Sequence, residues 1–439
     1  MKNNRIFLLA LILASLLCGC GMRSINQLYS LPKRSESYQD LQRVIDRNMT
    51  GLAYCAPLTG ENRQPVQLAD LDGDGVDECL LFARGSGELP LKILIFDLED
   101  NQYSLCQTVE GNGTAFDRIE YVQMDGRSGL ELVVGRQLND QLLRSASVYA
   151  YVDGQMQQRI VTPYTEFLTC DLNTDSLYEM LVLRPGETES GKGVVELFAI
   201  HSGTVEKSQE MALSASVDNL KRIITGNLHG GQPAVFVGST MDENTIITDI
   251  YTLADGVFTN ISLSAEHGTS VQTLRNYYVY AEDIDSDGEV ELPDLIHMLP
   301  LNAPNGAAQQ HLIRWYTMAP DGTQWDKYYS FHNYMEGWYL ELQAQWASRI
   351  TVVQEEQSYG FYLWDEERTA AEKIFTVYVL SGQDREEQAI ANNRFLLHKG
   401  ETVVYAARME VASGALEITQ SDLIQSFHLI RQAWNTGEM

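Results

Sequence analysis

Basic residues are scarce in this chain. Thirty-one Lys and Arg stand against sixty Asp and Glu, a formal net charge of −29, which excludes nucleic acid and anionic membrane surfaces as partners because both are recognised through a positive face. Cysteine is sparse too, and none of the six lies in a Cys-x-x-Cys pair or beside suitably spaced histidines, so a zinc site has no support. The eight histidines form no His-Glu-x-x-His, and no Gly-x-Ser-x-Gly elbow occurs. Gly186-Glu-Thr-Glu-Ser-Gly-Lys-Gly193 approaches a phosphate loop but ends in Gly where a Ser or Thr is required, and it joins two strand-like runs where a helix should open. It reads as a hairpin turn. Carboxylates are too many for a glycosidase pair to be singled out. Nothing nominates a nucleophile or a general base.

What is present begins with Lys2 and Arg5, followed by an apolar run from Ile6 to Cys18 broken only by Ser15. That is the layout of an export signal, and it is shorter than the roughly 20 residues of a spanning helix. Leu17-Cys18-Gly19-Cys20 resembles a bacterial lipobox, with Cys18 where the pattern usually has Ala, Ser or Thr. The resemblance implies cleavage after residue 19, diacylglycerol on Cys20, a tether over residues 20–36 and a location on the extracytoplasmic face of the cell membrane. Export permits disulfides among Cys55, Cys79, Cys106 and Cys170; buried free thiols are an equal reading, and the pairing stays open.

One pattern recurs from residue 70 to about 330: a polar, mostly acidic loop running directly into an apolar strand. Its copies start at 70, 123, 171, 226 and 283, spaced 53, 48, 55 and 57 residues apart. A second marker follows inside each unit, a strand-like run closed by turn residues such as Asp153-Gly154 or Asp255-Gly256. Units of about 50 residues with three or four antiparallel strands match the size of a propeller blade. The expected fold is therefore mainly β, with a β-propeller spanning residues 37–330.

Calcium takes six to eight oxygens at about 2.3–2.6 Å, so a loop that serves it must turn sharply while offering carboxylates at alternate positions. Asp70, Asp72, Asp74, the carbonyl of Val76 and Glu78 satisfy that, with Gly75 at the turn; Asp283, Asp285, Asp287, the carbonyl of Glu289 and Glu291 repeat it with Gly288. Asp171, Asn173, Asp175 and Glu179 form a weaker third site, with Ser176 in place of the glycine. In the second unit Arg127 can pair with Asp125 and Glu131 in place of an ion, and the fourth unit keeps no ligand. An EF-hand is the competing explanation, but its closing Glu belongs at position twelve, which is Leu81 or Asp294 here.

The loops and the strands they feed resemble the FG-GAP or VCBS repeat of integrin-alpha-type β-propellers, over roughly residues 60–330. Val134-Gly135 and Val237-Gly238 partly echo the Phe-Gly dipeptide of that repeat. The resemblance implies a structural calcium ion and a propeller face presented to a partner.

At the ends, a short helix is expected from Ser37 with Leu41, Val44, Ile45 and Met49 on one face. All six tryptophans fall between Trp315 and Trp434, which predicts a strand-rich unit over residues 331–439, either separate or supplying further blades. It is expected to close on an amphipathic helix capped by Ser421, with Leu423, Ile424, Phe427, Ile430 and Trp434 along one side. Taken together, these features predict a noncatalytic, lipid-anchored binding or scaffold protein with an extracellular protein or polysaccharide partner. The second reading is an enzyme, or an enzyme subunit, acting on envelope or environmental polysaccharide.

Overall fold

Alternation of β-branched and aromatic residues with polar ones builds antiparallel strands almost throughout. The computed structural model describes residues 36–99, 102–139, 143–187, 191–201, 204–242, 245–276, 279–301, 310–410 and 418–430. Cys20 and Trp434 lie outside the described residues. The strands form six sheets of four or five members, and no described helix is long and apolar enough to cross a membrane.

The chain divides into two compact units. The first comprises residues up to 56, 64–69 and 76–112. Its sheet runs through strands 78–84, 91–99 and 102–111, with 53–54 and 66–69 both paired to 78–84. Helix Glu36–Asn48 covers it as its periodicity predicts, burying Leu41 and Ile45 against Cys79, Leu81, Leu94 and Phe96, with Val44 and Met49 at the edge.

The second unit, 57–63, 70–75 and 113 onward, holds the remaining five sheets. The second, third and fourth are four-stranded meanders over 115–164, 166–212 and 220–260. Four hydrophobic cores are shared by consecutive sheets. Val133, Ala146 and Val148 pack on Phe167, Met180 and Val182; Leu181, Leu183 and Leu197 pack on Val235, Val237 and Tyr251. Phe236 and Ile250 meet Leu292 and Tyr316, and Phe331 and Trp338 meet Phe361 and Phe375.

The hairpin turns form as their residues predict. Asp153-Gly154 and Asp255-Gly256 have positive φ at both positions, the type I′ geometry that matches strand twist. The phosphate-loop lookalike joins strands 179–185 and 193–201 as a hairpin. One repeated detail has no sequence signature: the pairing of the second and third strands after the loop shifts register at Ile95/Phe96, Val148/Tyr149, Leu197/Phe198 and Trp315/Tyr316. Such β-bulges sharpen local twist.

The C-terminal stretch differs from expectation in its details. Residue 330 falls inside strand Gln324–Asn333, which pairs on both sides. The strands expected beyond it form, most of them as a sixth sheet over 350–409. The closing helix is short, Gln420–Ser426, and its cap is Thr419 in a capping box with Asp422, not Ser421. Phe427 starts a strand, Phe427–Leu429, paired to Trp338–Leu342, so the expected helical face through Ile430 does not form. The aromatic ring of Phe427 stacks on Trp338, and that contact outweighs continuation of the helix. Trp315, Trp338 and Trp346 are core residues, as tryptophans in alternating strands usually are. All four described cysteines are free thiols.

Candidate metal centres

The five repeated loops share one frame. The residue after each of four loops is a glutamate that opens the next strand, paired in register to the residue before the loop: Ala69 with Glu78, Val122 with Glu131, Cys170 with Glu179 and Glu282 with Glu291. All four glutamates are buried. In three of them one carboxylate oxygen accepts an amide from the loop's second residue, Met124 at 2.6 Å, Leu172 at 2.9 Å and Ile284 at 2.9 Å. The second oxygen is left facing the loop, and its surroundings distinguish the copies.

In the third loop the Asn173 amide nitrogen donates to Glu179 Oε1 at 3.1 Å and to Asp175 at 3.0 Å. A neutral donor thus stands where a cation would. In the second loop Arg127 lies 3.5 Å from Asp125, while Glu131 is served by the amides of Met124 and Asp125. In the fifth loop Glu291 is fully buried and its Oε1 accepts no hydrogen bond, the nearest cation being the Lys327 ammonium 3.9 Å away. An unpaired buried carboxylate oxygen is costly, and burial with the nearby Asp285 charge raises this carboxyl to about 7.

Ligand oxygens of Asp283, Asp285 and Glu291 converge within 4.8 Å of one another, and along the first loop those of Asp70, Asp72 and Glu78 do the same. These two clusters have the carboxylate chemistry to hold a metal ion, and the orphaned oxygen of Glu291 fits that use. Both loops turn through left-handed positions, Gly73 and Gly75 in one, Ser286 and Gly288 in the other. Asp70 holds its turn by accepting the amides of Gly73 and Gly75, and Asp283 accepts those of Asp287 and Gly288. Asp74 and Asp287 stand outside the converging trios. Asp287 instead pairs with Lys327 and accepts the amide of Glu289. The side chain of Glu289 faces His229, the amide of Gly230 and Lys327.

Sequence reasoning missed two features. Lys327 reaches the fifth loop from strand Gln324–Asn333, 3.4 Å from Glu289 and 3.9 Å from Glu291; forty residues of separation hide it. The loops are also stitched to one another. The amide of Leu130 donates to the carbonyl of Asp70, that of Tyr178 to Gln123, and that of Val290 to Asn227. The fourth loop, which keeps no ligand of its own, serves as a wall for the fifth: Asn227 Nδ2 donates to Gly288 O at 2.9 Å. The Asn-Leu-His run there is the signal that a search restricted to carboxylates passes over.

Glu131 gives a pH test of this frame outside the two metal-capable loops. Burial raises its carboxyl to about 7 against an ordinary 4.5, with the Met124 amide opposing. The folded state therefore holds the proton more tightly than the unfolded chain, and this stabilising contribution is complete below 4.5 and lost as pH rises through about 7. Thermal melts in chelator from pH 5 to 8 should show a falling midpoint, and Glu131→Gln should flatten part of that fall. A slope identical to that of the parent chain would refute the assignment.

No protein-family model matches the chain, and no curated protein matches it. Solved structures similar to it include a protein from Lactobacillus plantarum, at 11% identity and TM-score 0.27, covering 72% of this chain and 85% of that one. Rhamnogalacturonan lyase YesW matches at 10% identity and TM-score 0.30, over 73% and 83%. A putative 6-phosphogluconolactonase from Bacteroides fragilis matches at 13% and 0.26, over 72% and 85%.

Proposed function

We propose that the chain is a noncatalytic, lipid-anchored binding or scaffold protein on the extracytoplasmic face of a cell membrane, built on FG-GAP/VCBS-like propeller repeats whose first and fifth loops hold calcium. The observation that carries the calcium assignment is the buried Glu291 Oε1, which accepts no hydrogen bond and converges with the Asp283 and Asp285 carboxylates. Hard oxygen donors from carboxylates, with no sulfur or imidazole among the converging trios, suit calcium rather than a softer metal. The ion's role is structural: it ties the entry to a strand, and no group in the loop is placed to attack a substrate. Cys20 would supply the membrane attachment through its acyl chains.

The binding role is tested against catalysis by incubating the soluble chain, residues 24–439, with cell-wall and plant glycans. The expected outcome is saturable retention without product. Turnover that a single carboxylate substitution abolishes would overturn the noncatalytic reading.

A further inference from the structure

The first strands of three consecutive sheets, 115–122, 166–170 and 220–227, line a cleft in the second unit that none of the loop chemistry uses. One lobe of about 510 Å³ is bounded by Glu61, Arg118, Glu120, Glu166 and the apolar edges of Leu168 and Ile223. A second lobe of about 420 Å³ shares Glu61, Arg118 and Glu120 and extends along Asn62 and Tyr121. The two lobes meet at Glu61, Arg118 and Glu120, and the aliphatic edges of Leu168 and Ile223 lie beyond in the first.

Charge in the cleft is unbalanced. Arg118 lies 3.7 Å from Glu120 and 3.8 Å from Glu166, beyond hydrogen-bond reach of both. Its guanidinium is held instead by the carbonyl of Phe167 at 2.7 Å and by the Phe167 ring beneath it. Behind the wall, Arg144 bonds Glu166 at 3.2 Å and approaches Asp117 at 3.8 Å. Glu61, Glu120, Glu166 and Asp117 stand against Arg118 and Arg144, an excess of two negative charges, and Glu120 also accepts the Thr169 hydroxyl at 2.6 Å. Burial raises both Glu120 and Glu166, and the Glu61 charge adds to the rise at Glu120.

We propose that this cleft binds a linear di- or polyamine, its ammonium groups beside Glu120 and Glu61 and its methylenes along Leu168 and Ile223. An alkylammonium chain has the alternation of charge and aliphatic surface that the walls show. The net charge of −29 would draw such cations in at long range. This inference supplies a ligand class for the binding role proposed above and does not depend on the metal loops.

The test is calorimetric titration of the soluble chain with spermidine and with 1,4-diaminobutane, calcium saturating throughout so that the fate of the metal assignment does not alter the result. One saturable site is expected, weakened at least tenfold by Glu120→Gln and several-fold by Glu61→Gln. Glu61 is exposed, so its variant keeps the test valid should Glu120→Gln fail to fold. The double substitution Glu386→Gln with Glu387→Gln, on a helix remote in sequence, removes the same kind of charge and should leave the site unchanged. Multiple weak sites that respond equally to both sets of substitutions, or no binding at all, would overturn the proposal.

Discussion

Calcium added to the chelated soluble chain is expected to raise its thermal midpoint, and Glu291→Gln is expected to remove much of that gain without lowering the midpoint of the chelated form. The two halves have one origin. Without an ion, the Glu291 carboxyl is buried with an oxygen that accepts nothing and is raised to about 7, so replacing it by a neutral amide relieves a cost. With an ion, the same oxygen becomes a ligand and its loss is felt. A ligand at a hundred times its dissociation constant stabilises by about 2.7 kcal/mol, about 5–11 °C per site for a domain of about 150–250 residues. Lys327→Met sharpens the test. Its ammonium, held strongly protonated by Asp287, Asp285 and Glu289, partly neutralises the empty loop and competes with an incoming cation, so the variant should melt lower in chelator and gain more from calcium. A midpoint indifferent to calcium, with no heat of binding, would reduce both loops to solvated turns.

The second large effect is expected far from these loops. Asp249, in strand Ile246–Ala254, is fully buried and has no basic partner among the described residues; its carboxylate accepts the Ser214 amide at 2.8 Å, the Ser214 hydroxyl at 2.6 Å, the Asn260 amide nitrogen at 2.9 Å and the Ser270 hydroxyl at 2.6 Å. Four donors arranged round one acceptor stabilise the charge without a salt bridge. Asp249→Ala would strand those donors in a dry interior, at about 1–3 kcal/mol for each left unpaired, and should lower the denaturant midpoint more than any loop substitution. Asp249→Asn keeps the shape but turns a donor toward donors, so it should recover only part of the loss. A shift below about 1 kcal/mol for the alanine variant would show that the donors find water or rearrange.

Much of this architecture was legible because the acidic loops recur at nearly equal intervals and each leads into an apolar strand. The short helix over Leu41 and Ile45 and the turns at Asp153-Gly154 and Asp255-Gly256 follow from local rules that tertiary contacts do not override. Contacts that only the fold creates were not legible. Lys327 comes to Asp287 through strand pairing, and the Asn227 wall of the fifth loop has no carboxylate to attract notice. The cleft round Glu120 draws on the strands of three sheets, each ordinary by itself. At the C-terminus a regular apolar spacing suggested one helix, but Phe427 gains more from the Trp338 ring in a sheet than from another helical turn. The chemistry of the third loop lay in one letter: Asn173 in place of an aspartate supplies its own donor to Glu179.

The stitches among the first three loops have a direction: the earlier segment contributes a carbonyl, of Asp70 or Gln123, and the later one the amide of Leu130 or Tyr178, whereas between the fourth and fifth loops Asn227 both accepts from Val290 and donates to Gly288. A carbonyl that loses its donor keeps a second lone pair for water, whereas an amide that loses its acceptor has only one proton to place and depends on water reaching it. Removing repeats from the downstream end therefore leaves tolerant acceptors behind, while removing them from the upstream end strands donors such as Leu130 or Tyr178. Shortened versions of this protein should accordingly survive trimming among the first three loops better from one side than from the other, and a chain emerging from the ribosome has the Asp70 and Gln123 acceptors in place before the donors that need them.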